Sequence, residues 1–279
     1  MKSLCLSLLI FLAGTFCRAA DPALDMADNF MQTGFYEEAV TEFQRYLFFN
    51  PDSELHSEIY SRIGYCYGYL RDWPAAIESM NKAFNVAEND SLRAQRIMDK
   101  AVIYLTLGDY GRAHVDLLSV KHLHDIPNLQ SRAEGLLLLN AVLRHDWPFA
   151  LKLYRSRNDN PAEKPDSLEA LLLEAAGTDR RSPELAQLLS TILPGLGQFY
   201  NGRWLSGLNA LILNAALGYL TIDLLVDERY TGSALSFIFL WQRYYTGNRQ
   251  NAYSEANEYN MQMDNKYEKQ ILQILQQDD

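Results

Sequence analysis

The residue types able to do chemistry are few and scattered. Lys121-His122-Leu123-His124-Asp125 is the run that gathers metal-ligating side chains. Two histidines at i and i+2 point the same way on a strand but about 200° apart on a helix, and the flanking sequence has helical spacing. No further His, Cys or acidic cluster lies near in sequence to complete a coordination sphere, so the run reads as a solvated helix end. A nucleophile elbow G-x-S-x-G and a phosphate-binding G-x-x-x-x-G-K are both absent from the sequence. Gly195 and Gly197 begin a G-x-G, but Tyr200 stands where a dinucleotide fingerprint needs its third glycine, and Pro194 replaces the strand that should precede it. Cys66 falls inside a helical pattern, where a buried and inert thiol is the usual outcome. The expectation is a chain with no catalytic residue, no cofactor and no metal.

Composition is that of a folded globular chain. The 279 residues are 48% hydrophobic and 22% charged, which excludes a disordered, collagen-like or low-complexity chain. A net charge of −10 has the wrong sign for a general nucleic-acid binder. Of the cysteines, Cys5 and Cys17 lie in the extreme N-terminal segment and Cys66 in the body, so no intrachain disulfide framework survives processing of that segment.

The N-terminus reads as an export signal. Lys2 supplies a basic start, and Leu4 to Phe16 is an uncharged, Leu-rich stretch, too short to span a bilayer. Cleavage after Ala19 places small Cys17 and Ala19 at the positions a signal peptidase must accommodate, so residues 1–19 are expected to be removed. A lipid anchor at Cys17 is opposed by Phe16, which stands where a small residue is needed. The alternative is an uncleaved N-terminal helix packed on the domain.

The positioning elements announce themselves by repetition. Tyr36, Trp73, Tyr110 and Trp147 are spaced 37 residues apart, and Ala39, Ala76, Ala113 and Ala150 follow each by three. The same register aligns Phe43, Met80, Leu117 and Tyr154 downstream. Upstream it aligns Ala27, Gly64 and Ala101, each followed three residues later by Phe30, Tyr67 and Tyr104. Apolar residues on either side of Gly34-Phe35, Arg71-Asp72, Gly108-Asp109 and His145-Asp146 have helical spacing, so each unit reads as helix, turn, helix. An Asp before Trp-Pro is placed to accept from the free amides of the next helix. The alanine is small because the two helices of a hairpin approach closely only where a side chain is missing.

At these residues the chain resembles the tetratricopeptide repeat family, from about residue 22 to 160. Gly34-Phe35-Tyr36-Glu37-Glu38-Ala39 through Asn50-Pro51 matches closely, while the fourth repeat departs with Leu138 and Ala141 on its first helix. The spacing exceeds the family's usual 34 or so residues. The resemblance implies an all-α helical-hairpin solenoid over residues 22–178, with a capping helix at Leu168 to Ala176, where the array stops. It also implies a concave groove, made mostly by first helices, that binds peptides or partner proteins. The repeat aromatics are expected in the core, and Tyr60, Arg62, Tyr69 and Lys100 are the candidate groove residues.

From Leu185 the composition changes. Leu205 to Val226 carries Asp223 as its single charge and is long enough to cross a hydrocarbon core of roughly 30 Å. A shorter apolar run, Ser233 to Trp241, follows Asp227-Glu228-Arg229. Gly207, Ala210, Ala215, Ala216 and Gly218 allow close helix contact, and Asn209 and Asn214 are expected to bond across helices. In a hairpin, Trp204 on one arm and Trp241, Tyr244 and Tyr245 on the other are expected at one level, as an interfacial belt. The string Pro194-Gly195-Leu196-Gly197-Gln198-Phe199-Tyr200-Asn201-Gly202 is similar to the helical-hairpin membrane domain at the end of many bacterial repeat proteins. Arg243-Tyr244-Tyr245-Thr246-Gly247-Asn248 and Glu258-Tyr259-Asn260 match it too. That resemblance implies an apolar membrane-associated hairpin over 185–246 and assigns no chemistry. Pro194, Gly195, Gly197, Gln198, Tyr200 and Gly202 are its motif residues. Residues 247–279 are expected to form a separate amphipathic helix with Ala252, Ala256, Tyr259, Met263, Tyr267, Ile271, Ile274 and Leu275 on one side, packing on the repeats or a partner.

The functional expectation is an exported scaffold of the bacterial cell envelope, tethered to membrane lipid by its C-terminal apolar segment and docking another envelope protein or peptide. The alternatives are a soluble periplasmic adaptor, whose hairpin is a buried cap, and an accessory subunit of an envelope-processing enzyme. One feature of the charge distribution opposes a simple topology: a returning hairpin keeps Arg180, Arg181, Arg203, Arg243 and Arg249 on the exported side, against the positive-inside tendency.

Overall fold

In a chain whose apolar residues recur at helical spacing, the backbone finds its hydrogen bonds inside helices, and the described residues hold helices and no strand. The computed structural model describes residues 22–121, 127–157 and 166–276. The expected signal peptide, with Cys5 and Cys17, and the His122, His124 and Asp125 cluster lie outside them. The chain divides into two units, Met1–Lys164 and Pro165–Asp279.

The first unit contains α1 (Pro22–Thr33), α2 (Tyr36–Phe49), α3 (His56–Tyr69), α4 (Trp73–Asn85), α5 (Asp90–Leu107), α6 (Tyr110–Lys121), α7 (Pro127–Leu143) and α8 (Trp147–Arg157). Each packs on the next in a solenoid-like succession of hairpins. The repeat aromatics Tyr36, Trp73, Tyr110 and Trp147 each open a second helix. Before each stands a left-handed residue, with φ of 87° at Gly34, 62° at Arg71, 86° at Gly108 and 57° at His145. The following amide donates five residues back, from Phe35 to Phe30, Asp72 to Tyr67, Asp109 to Tyr104 and Asp146 to Ala141, all at 2.9 Å. This Schellman closure satisfies carbonyls that the ending helix leaves free. Asp72, Asp109 and Asp146 then cap the next helix by accepting from Ala75, Arg112 and Phe149 amides.

The fixed alanines Ala39, Ala76, Ala113 and Ala150 are fully buried. Their smallness has a counterpart on the first helix: a Cβ at Gly64 would stand 2.9 Å from Met80 Cε and 3.2 Å from the Ala76 carbonyl oxygen. Phe43, Met80 and Leu117 are likewise fully buried, whereas in the fourth repeat Leu153 takes the buried place and Tyr154 is half-buried.

The second unit holds α9 (Ser167–Gly177), α10 (Pro183–Ile192), α11 (Leu196–Tyr200), α12 (Trp204–Val226), α13 (Tyr230–Leu235), a π-helical turn (Ser236–Trp241) and α14 (Gln242–Leu275). The helix expected to cap the solenoid is α9, and it packs within this unit on α14. Thr178 Oγ1 bonds the Tyr267 hydroxyl at 2.9 Å, which in turn donates to Glu174 Oε1 at 3.0 Å. The expected break near residue 246 does not occur. Gln242 donates to Phe237 five residues back, so the π turn joins α13 to α14 with no interruption. The side of α14 expected to be apolar does bury Ala252, Ala256, Tyr267 and Ile271.

Candidate functional site

Pro194 to Gly202 folds as a tight knot that locks α10, α11, α12 and α14 together. Gly195 has φ of 98°, and a Cβ there would overlap the Gly207 carbonyl oxygen. A Cβ at Gly197 would overlap the Ala186 carbonyl oxygen and meet Ser190 Oγ at 2.5 Å and Ala252 Cβ at 2.7 Å. Gln198 is fully buried; its Oε1 accepts from Ser190 Oγ at 3.1 Å and its Nε2 donates to the Asn248 carbonyl at 2.9 Å and to Asn248 Oδ1 at 2.6 Å. Asn201 Nδ2 donates to the Ala252 carbonyl at 2.7 Å, and the Tyr200 hydroxyl accepts from the Ser182 amide at 3.1 Å. Gly202 is left-handed with φ of 67°, and the next amide, on Arg203, returns to the Gln198 carbonyl at 2.8 Å. Pro194 is half-buried at the start of the knot. Each motif residue after the proline therefore has a packing or hydrogen-bonding reason, and the Gly197 and Gly202 amides donate to Ser190 Oγ and the Phe199 carbonyl.

Basic residues counted in the topology conflict serve the same knot. Arg181 lies over the Tyr259 ring at 3.5 Å, its guanidinium donates to the Asn201 carbonyl, and its backbone exchanges bonds with the Asn260 amide at 2.8 and 2.9 Å. Arg180 pairs with Asp264 at 2.7 Å and Arg203 with Glu258 at 3.3 Å.

From the knot, α12 rises and is met antiparallel by α13, the π turn and the first half of α14. The buried stripe of α12 is Gly207, Asn214, Gly218 and Thr221, small or polar throughout. Its large apolar side chains point away from the unit: Leu205, Tyr219, Ile222 and Val226 are 58–84% exposed. Thr221 Oγ1 bonds Ser236 Oγ at 2.9 Å, and Ser233 Oγ donates to the Thr221 carbonyl at 2.9 Å. Those residues make the cross-helix bonds expected of Asn209 and Asn214. Asn214 instead donates back to the Ala210 carbonyl of its own helix at 2.8 Å.

The expected aromatic belt is also revised. Trp241 packs on Gly218, whose added Cβ would lie 3.6 Å from the indole. Gly218 stands fourteen residues, or about 21 Å, along α12 from Trp204. The returning arm is uncharged over only its twelve residues 230–241, at most about 18 Å, before Gln242 and Arg243 begin α14. Tyr245 is drawn below, donating to the Thr191 carbonyl at 2.6 Å.

Where the arms diverge there is a cleft of about 1000 Å³. One end is polar, lined by Gln198, Ser206, Asn209, Asn248, Asn251 and Glu255, and the other is apolar, lined by Ile212, Leu213, Ala216, Phe239 and Leu240. Burial pushes the Glu255 carboxyl above its usual range, against the opposing pull of Arg203. No sequence signal pointed to this cleft, because its walls come from two helices forty residues apart.

The candidate groove residues in the first unit are each engaged. Arg62 is buried, its guanidinium held by Asp28 and Glu58. Tyr69 stacks on Tyr36 with centroids 4.4 Å apart, and burial pushes its hydroxyl up to about 12. Lys100 faces Asp116 at 3.5 Å. Tyr60 is half-buried beside His56. The larger polar feature escaped sequence reasoning: Asp99 is buried and accepts from Ser61, Tyr65, Gln95 and Arg96 at 2.6–3.0 Å. Burial, then the Asp99 charge, holds the Tyr65 hydroxyl well above its ordinary value. Cys66 is buried, and burial pushes its thiol up to about 12, which suppresses the reactive thiolate. Among the described residues no group of three or more His, Cys, Asp or Glu is placed to hold a metal. The chain matches no known family model and no curated protein.

Proposed function

We propose that the protein is a non-catalytic scaffold of the bacterial cell envelope: an exported tetratricopeptide-type repeat unit that docks a protein or peptide partner, anchored in a membrane by the α12 hairpin. The observation that carries the anchor is the inverted polarity of α12. A water-soluble hairpin buries its apolar side chains; α12 buries glycine, asparagine and threonine and turns leucine, isoleucine and valine outward. Lipid is the solvent in which that arrangement is favourable, since apolar surface facing water costs roughly 25 cal/mol per Å² while helix contact in lipid is made by small and hydroxylated residues. Among the described residues α12 is the one helix long and apolar enough to cross a membrane. The export half of the proposal rests on Lys2 and the Leu4 to Phe16 stretch, and the scaffold half on the repeat register.

Cell fractionation tests it. After carbonate extraction the full-length protein is expected in the membrane pellet, and protease added to intact spheroplasts is expected to digest the repeats. Release of intact protein by carbonate would favour the soluble cap; protected repeats would refute the export signal.

A further inference from the structure

The inverted polarity of α12 is repeated in α10. Its Ala186 and Ser190 are fully buried, whereas Leu185, Leu188, Ile192 and Leu193 are 41–72% exposed. No charged residue stands between Leu185 and Gly202, so Arg203 alone separates this run from the apolar run of α12. α10 lies antiparallel along α14, from Arg181 bonded to Asn260 to Thr191 bonded to Tyr245. Over the same length α14 turns a polar face outward: Arg243, Thr246, Gln250, Ser254 and Asn257 share one side of the helix and are all exposed. At that height the unit has one apolar flank and one polar flank.

Both flanks continue onto α12. Gly207 faces the knot, meeting Gly195 and Phe199, and its neighbours Leu208 and Ser206 stand about 100° to either side of it. Trp204 falls on the Leu208 side and packs on Phe199 with ring centroids 5.2 Å apart, which joins the exposed end of α10, through Leu193 and the knot, to the outward face of α12. Ser206 instead lines the cleft with Asn209, Arg243 and Asn251, which extends the polar flank. We propose that α10 is a second membrane contact, lying along the boundary between headgroups and acyl chains, so that the hairpin enters the bilayer leaning toward its α10 flank while the polar face of α14 and the cleft stay open to water. Upright immersion would strip water from Arg243, Gln250 and Asn257; withdrawal from the membrane would leave Leu188 and Ile192 wet. The boundary suits both flanks, because a helix lying there sinks its apolar side among the acyl chains and keeps polar groups in water. The inference rests on the membrane reading of α12 and adds to it the angle of entry and a second element in contact with lipid.

Site-directed fluorescence quenching separates the two readings. Full-length protein with Cys5 and Cys17 replaced by Ser carries an NBD label at Leu188→Cys, Ile192→Cys, Gln250→Cys or Ile222→Cys, all exposed positions, and is reconstituted in vesicles of phosphatidylcholine and phosphatidylglycerol. Labels at 188 and 192 are expected to be quenched by a lipid with a nitroxide near its headgroup, and about threefold less than the label at 250 by aqueous iodide. The label at 222 reports the anchor alone and is expected to be shielded from iodide. Iodide quenching at 188 and 192 equal to that at 250, with 222 still shielded, would overturn the proposal and leave the anchor standing. Shielding of 188 and 192 from both quenchers would mean that protein covers α10, and lipid quenching at 250 equal to that at 188 would mean upright immersion; either result overturns it. Iodide access at all four positions would refute the anchor and the inference together.

Discussion

Arg71 and His145 occupy left-handed turns where the sister repeats use Gly34 and Gly108. A side chain in that conformation crowds the following carbonyl at a cost of about 1–2 kcal/mol, partly offset because glycine loses more chain entropy on folding. Arg71→Gly is therefore expected to stabilise the protein by about 0.5–1 kcal/mol, and Gly108→Ala to destabilise it by about 1 kcal/mol, read as opposite shifts of the thermal transition. A fall on Arg71→Gly would contradict the strain argument. Nothing in the type of Arg71 or His145 signals a positive φ; only the register with Gly34 and Gly108 does. Arg62 carries the complementary lesson. On a first helix a long cation reads as a groove residue, yet its stem is buried and its head is claimed by Asp28, thirty-four residues away, and Glu58. Pairing at that distance is a property of the stack, invisible in any one helix.

At the scale of the element, the repeat register is the part most legible in the sequence, because spacing and side-chain size report the same contact twice. Gly64 facing Ala76 and Met80 is that contact. Ala76→Phe is expected to overpack the α3–α4 hairpin and cost about 1–3 kcal/mol or more, lowering the thermal midpoint, whereas Val115→Phe at a 65% exposed position leaves it unchanged. Equal midpoints for the two variants would refute the register. The C-terminal elements were less legible. Gly247 lies inside α14, where a lone glycine in a long helix costs only about 1 kcal/mol and is absorbed. The apolar spacing of α9 is that of any amphipathic helix and does not show its partner within the second unit, Tyr267, about ninety residues on.

Over the whole molecule, the sequence places the change from a repeating to an apolar region between residues 178 and 185, and the two compact units of the structure are Met1–Lys164 and Pro165–Asp279. The fate of the apolar region was not legible, since a run of leucines fits a buried core helix as well as a membrane helix. What decides is which side of α12 is turned inward, and this depends on Thr221, Ser233, Ser236 and the Pro194 to Gly202 knot acting together. The central claim, that the outward face of the hairpin meets lipid, is tested most directly by spin-label accessibility. Full-length protein with Cys5 and Cys17 replaced by Ser is labelled at Ile222→Cys, Ile238→Cys or Asn257→Cys and reconstituted in vesicles; Cys66 is buried and stays unlabelled. Labels at 222 and 238 are expected to collide with oxygen and be shielded from a water-soluble nickel chelate, and the label at 257 to show the reverse. Equal access of the chelate to all three positions would contradict the membrane anchor.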